Sequence, residues 1–218
     1  MDRTSVFHGL LSEPVVLCPL VGLLLGDPML GLKVGAVLQL FFLGSSSVGG
    51  SSPPDAAMAS IAVTVAASLA SDLTGVPVRV SFPAAVLAAM APASLAGSFA
   101  DGWIKENNVK LLHETEEAVE LVGAEAIEKA VKKSLATSFL FFALIGTIVA
   151  ALATVVTGAV LYFLPHEWWK VVEMAGNMIL PASVAVALAS LRERRALWVY
   201  AGASVCILIA ITGWEWLF

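Results

Sequence analysis

Between Leu135 and Leu164 the chain runs for about 30 residues without a charged side chain, more than the roughly 20 apolar residues that cross a bilayer. Such a run reads as a membrane helix with tilt, or with a bend at Gly146 or Gly158. Other apolar stretches run from about Pro14 to Leu25, Met29 to Leu43, Ala56 to Ser71, Val80 to Ala100, Val171 to Leu191 and Ala196 to Phe218. The expected fold is an all-α polytopic membrane protein with about seven apolar segments, some re-entrant or broken. Composition agrees: charged residues make up 13% of the chain, against about a quarter in soluble domains. The first segment lacks the basic flank and small-residue cleavage site of a signal peptide. A net charge of −5 gives no basic field for nucleic acid. Cys18 and Cys206 sit far apart within apolar segments and read as small buried hydrophobes.

The segments differ in character. The first two are short for full spans, and fit a re-entrant hairpin as well as two crossings. The third is built largely of Ala, Val and Ser, residues that let helix backbones approach closely inside a bundle. Pro83 and Pro92 should kink the fourth or break its first turn. Residues 101–134 are unlike the rest, carrying five Lys from Lys105 to Lys133 among many Glu, with Val109, Leu112, Val119, Val122, Ala126 and Ala130 approximately on one helical face. They read as a charged amphipathic helical connector outside the hydrocarbon, or as a docking surface for a soluble partner. Three regions result: an N-terminal membrane region (1–100), the charged connector (101–134) and a C-terminal membrane region (135–218). Lys-rich 105–133 and Arg192-Glu193-Arg194-Arg195 fit the cytoplasmic side, with Trp168 and Trp169 at the opposite interface. Four full spans would then put Gly44–Asp55 on the cytoplasmic side, a count that a re-entrant first hairpin would upset.

Polar groups inside apolar spans are costly and mark candidate sites. Gln39 interrupts an apolar run and offers two donors and an acceptor; it suits a hydroxyl-rich ligand or an interhelical hydrogen bond. Lys33, on another face, can snorkel to the interface. Asp55 ends the breaker-rich stretch Gly44–Pro54 and precedes the third segment. It fits a helix cap and equally a carboxylate that accepts sugar hydroxyls, and the two roles are compatible. The stretch before it is either a solvent connector or the wall of a polar site. Asn177, in a second Gly/Pro-interrupted membrane segment, completes the set, since paired interrupted segments point to transporter sites. His8, His113 and His166 are isolated, and 44–50 lacks the Lys-Ser/Thr of a phosphate loop. No catalytic residue, metal or cofactor is expected.

Gly26-Asp27, Gly31-Leu32, Gly35-Ala36, Leu38-Gln39-Leu40, Leu43-Gly44, Val48-Gly49-Gly50 and Pro53-Pro54-Asp55 occur in that order. This order resembles the N-terminal half of the IIC membrane subunit of mannose/sorbose-type sugar phosphotransferase systems. Asn177-Met178-Ile179-Leu180-Pro181-Ala182 is similar to that family's Gly-Met-Leu-Pro-Ala element, with Asn for Gly and an extra residue. The resemblance implies a multi-pass subunit of the bacterial cytoplasmic membrane that translocates a hexose-type sugar. It implies a IID membrane partner, oligomers of IIC–IID pairs, and soluble IIA and IIB phosphocarriers that phosphorylate the sugar. Its site residues carry over as Asp55 and Gln39, with Ser45, Ser46, Gly49, Gly50 and Ser51 shaping the site. The competing readings are an unrelated small-solute or ion transporter or channel, and a membrane scaffold subunit that transports nothing.

Overall fold

The computed structural model describes residues 12–43, 54–122 and 124–190. Its elements are helices: α1 (Pro14–Leu24), α2 (Pro28–Phe42), α3 (Ala56–Thr74), α4 (Val78–Val122), α5 (Ala124–Phe163) and α6 (His166–Ser190). The seventh expected segment, Ala196–Phe218, lies outside the described residues, as do Ser45, Ser46, Gly49, Gly50 and Ser51.

Helices α1 and α2 form a tight hairpin whose boundaries follow from local chemistry. Each opens on a proline, whose missing N–H is one of the donors a helix start leaves unpaired. Between them Gly26 adopts φ +87°, which an L side chain resists. The Asp27 N–H then reaches back to the Gly22 carbonyl at 2.8 Å, and the Asp27 carboxylate accepts from Leu30 N at 2.9 Å to start α2. The two backbones touch. A Cβ on Gly35 would stand 2.6 Å from the Pro14 carbonyl oxygen, and one on Gly31 would collide with the Cys18 carbonyl. Small residues four apart thus bring one helix onto the backbone of another. With 11 and 15 residues, these helices reach about 16 and 22 Å, short of the roughly 30 Å hydrocarbon. A hairpin of this kind returns the chain to the side from which it came.

Four helices or helix portions are long and apolar enough to cross a membrane: Ala56–Thr74, Val78–His113, Ile127–Phe163 and His166–Ala189. Within their apolar windows 61% of α3 and 56% of α4 is buried, against 22% of α5 and 17% of α6. Helix α3 is the centre of the bundle, as its small side chains predict. Cys18 Sγ approaches the Ser60 carbonyl at 3.8 Å from the α1 side, and Ser81 Oγ donates to the Ala67 carbonyl at 2.8 Å from α4.

Pro83 and Pro92 lie inside α4, which continues as helix through both; the Pro83 ring is packed where a Cβ on Gly176 of α6 would meet it at 3.0 Å. The described residues of 101–134 are helical and continuous with α4 and α5, whose ends form a helical hairpin. Ser134 Oγ donates to Asn108 Oδ1 at 2.8 Å across its two arms. Where α4 and α5 leave the bundle, Trp103 stacks on Phe141 with centroids 4.0 Å apart, an aromatic pair suited to an interface. At the far end the His166 ring lies 4.1 Å from that of Trp169.

Candidate functional site

The polar side chains singled out in the N-terminal region converge on one end of the bundle, the end from which the charged hairpin projects. Asp55 opens α3 there. Its Oδ1 accepts from Ala57 N at 2.8 Å and Met58 N at 3.2 Å, so the capping role is real. Its own N–H donates to the Ser94 carbonyl on α4 at 3.1 Å. Its Oδ2 makes no hydrogen bond among the described residues and stands over Gly97, where a Cβ would lie 2.7 Å from it. The carboxylate therefore caps with one oxygen and presents the other.

Gln39 is bonded between α2 and the start of α1. Its Nε2 donates to Glu13 Oε2 at 2.8 Å and its Oε1 accepts from Val15 N at 3.3 Å. The amide satisfies a donor that the α1 N-terminus leaves open, where Glu13 itself supplies no side-chain cap. The interhelical reading of Gln39 holds, and it leaves one N–H and one lone pair for a ligand. Lys33 is exposed on α2.

Glu13, Gln39 and Asp55 thus belong to the same end of the molecule: α1 begins there, α2 ends there and α3 begins there. Ser94, Gly97 and Ser98 of α4 border Asp55, with Ser98 Oγ donating to the Ser94 carbonyl at 3.0 Å. Glu13 is a second carboxylate at this end, and it was not among the candidates drawn from the sequence. Its place directly before Pro14, at a helix start, was the available signal. Nothing local marked Gly97.

Asn177 is not brought to this end. It is exposed on α6, next to Gly176, which packs against Pro83; Gly97 is about 21 Å further along α4. A crevice of about 310 Å³ between α2, α4 and α6 is lined by Phe41, Met90, Met178, Ile179 and other apolar side chains. Among the described residues that line it, no side chain is polar, so none orients a hydroxylated ligand. A small polar ligand is therefore better served at the Asp55 end.

Residues 2–211 match the family model described as PTS system sorbose-specific IIC component. The chain belongs to that family. This IIC chain is 38% identical over 88 residues to the Putative N-acetylgalactosamine permease IIC component 2 of Escherichia coli strain K12, a match covering 39% of this chain and 66% of that relative. It is 34% identical over 73 residues to the mannose-specific EIIC component of the same strain, covering 34% of this chain and 27% of the relative. The matched stretches thus fall short of these relatives' full lengths. In fold it is similar to a solved chain titled Structure of membrane protein, at a TM-score of 0.64, and to a chain in the complex of the mannose transporter ManYZ with microcin E492, at a TM-score of 0.57. The second likeness covers 92% of this chain and 76% of the other at 24% identity.

Proposed function

We propose that this chain is the sugar-translocating subunit of a phosphoenolpyruvate-dependent phosphotransferase system. It binds an unphosphorylated hexose-type sugar at the Asp55 end and releases it to a partner IIB for phosphorylation. Family membership makes it a relative of transport subunits and leaves the unrelated-transporter reading without support. The observation that carries the finer reading is the second carboxylate oxygen of Asp55. Oδ1 accepts from two α3 amides and the Asp55 N–H donates to an α4 carbonyl, while Oδ2 has no partner of its own among the described residues. An oriented carboxylate oxygen accepts sugar hydroxyls strongly, and Gln39 can add a donor and an acceptor.

The charged hairpin and the Asp55 end lie together, and Lys105, Lys110, Lys129, Lys132 and Lys133 suit a cytoplasmic location. The sugar then leaves on the side where soluble IIA and IIB carriers work. Phosphorylation traps it, because a phosphate carries up to two negative charges and does not recross hydrocarbon. The protein itself performs no phosphoryl chemistry in this reading. The N-terminal membrane region carries the sugar, the charged hairpin faces the cytoplasm, and the exposed faces of α5 and α6 meet lipid and a IID partner in the inner membrane, within an oligomer of IIC–IID pairs. Ser45, Ser46, Gly49, Gly50 and Ser51 belong to the site by resemblance.

Uptake of radiolabelled mannose and N-acetylgalactosamine into host membrane vesicles tests this. Uptake should require internal phosphoenolpyruvate and deliver sugar phosphate. Accumulation of free sugar driven by an ion gradient would remove the proposal.

A further inference from the structure

Asp55 is held by more than its own helix. Its N–H is bonded to the Ser94 carbonyl at 3.1 Å, and one turn later on the same α4 face Gly97 lies directly beneath its side chain. A Cβ at position 97 would overlap the Asp55 Cβ and lie 2.8 Å from Cγ and 2.7 Å from Oδ2. Real Cβ atoms do not approach other atoms so closely, so any side chain at 97 must push the carboxylate aside. Glycine is a poor residue for a helix interior, and α4 supplies its own contrast: a Cβ on Gly102 would meet nothing within 4 Å. The Ser94 carbonyl that receives the Asp55 N–H also receives the Ser98 hydroxyl at 3.0 Å. One carbonyl therefore ties the Asp55 backbone and the Ser98 side chain to a common point.

We propose that Gly97 is the positioning residue of the sugar site, and that the Ser94–Gly97–Ser98 edge of α4 is its second wall. The missing Cβ lets α4 close on Asp55 until Oδ2 stands over the α4 backbone at Gly97, one residue from Ser98. A sugar hydroxyl that donates to Oδ2 then meets α4. The direction of the carboxylate is fixed from both sides before a ligand arrives, which lowers the ordering cost of binding. This inference rests on the reading of Asp55 as the sugar carboxylate.

The test uses the full chain in membranes of its host, with radiolabelled mannose and N-acetylgalactosamine as probes. Binding affinity and the KM and maximal rate of phosphoenolpyruvate-driven uptake are compared for Gly97→Ala, Gly102→Ala and Asp55→Ala. Gly97→Ala should weaken binding and raise KM by about tenfold, the loss expected when a charge-assisted hydrogen bond is misaligned. Its maximal rate per assembled protein should stay near wild type, and Gly102→Ala should change neither. An unchanged KM in Gly97→Ala with a lower maximal rate makes Gly97 a packing residue only and overturns the proposal. Loss of binding in Asp55→Ala beside wild-type affinity in Gly97→Ala overturns this inference and leaves the Asp55 site standing. Wild-type affinity in Asp55→Ala removes both. Should Gly97→Ala fail to accumulate, Ser98→Ala adds no bulk and decides: a several-fold rise in KM supports the second wall, and an unchanged KM overturns it.

Discussion

The α1–α3 region and the α5–α6 region are made of similar apolar residues but use them differently. In the first, glycines and alanines bring backbones into contact, α3 is the most buried span, and polar side chains are fastened to caps and carbonyls. In the second, Phe139, Leu140, Leu144, Leu152 and Val155 stand exposed along α5, and even Asn177 is exposed on α6. Hydropathy does not separate the two, since α5 is the more apolar. What separates them is side-chain size, because only small residues let main chain approach main chain. A carboxylate can be aimed in a region packed that way, whereas large exposed side chains suit lipid or a partner subunit.

One substitution made in both regions exposes the contrast. Gly35→Ala places a Cβ 2.6 Å from the Pro14 carbonyl oxygen, a backbone atom that cannot swing away. It should destabilise the protein by about 2–3 kcal/mol, read as a large drop in thermal midpoint or in accumulated protein. Gln39→Ala comes next. It leaves Val15 N and Glu13 without their α2 partner and should cost about 1–2 kcal/mol, measured in the same melts. Gly158→Ala meets nothing within 4 Å and should stabilise by roughly 0.5–1 kcal/mol through helix propensity. Leu144→Ala, at a side chain 61% exposed, should fall within about 0.5 kcal/mol of wild type. A Gly35→Ala protein that melts like wild type, or a Gly158→Ala protein that collapses, would break the comparison.

Much of this architecture was legible. Pro14, Gly26-Asp27-Pro28 and Pro54-Asp55 mark helix ends by chemistry that acts within a few residues, and the structure places boundaries there. The close backbone contact within the α1–α2 hairpin was not legible, because Gly31 and Gly35 do not by themselves reveal which helix lies against them. The overrun of α4 was hidden for another reason. Hydropathy reports where lipid ends, but Glu and Lys continue a helix in water as well as Ala does in lipid. Asp55 and Gln39 could be singled out as polar groups in apolar surroundings. Gly97 could not, since a lone glycine in a helix does not reveal that a residue some 40 positions earlier packs on it. Asn177 illustrates the opposite risk, a polar residue in an interrupted segment that the fold holds away from Asp55.

The central claim is that the Asp55 carboxylate holds sugar as well as capping α3. Asp55→Asn separates these roles, because asparagine caps a helix about as well as aspartate but carries no charge. Equilibrium binding of radiolabelled mannose and N-acetylgalactosamine to this variant, beside its melting curve, is the decisive measurement. Asp55→Asn should melt like wild type and bind with affinity reduced by about tenfold or more. Unchanged affinity in a protein that melts normally would mean that Asp55 is a cap alone.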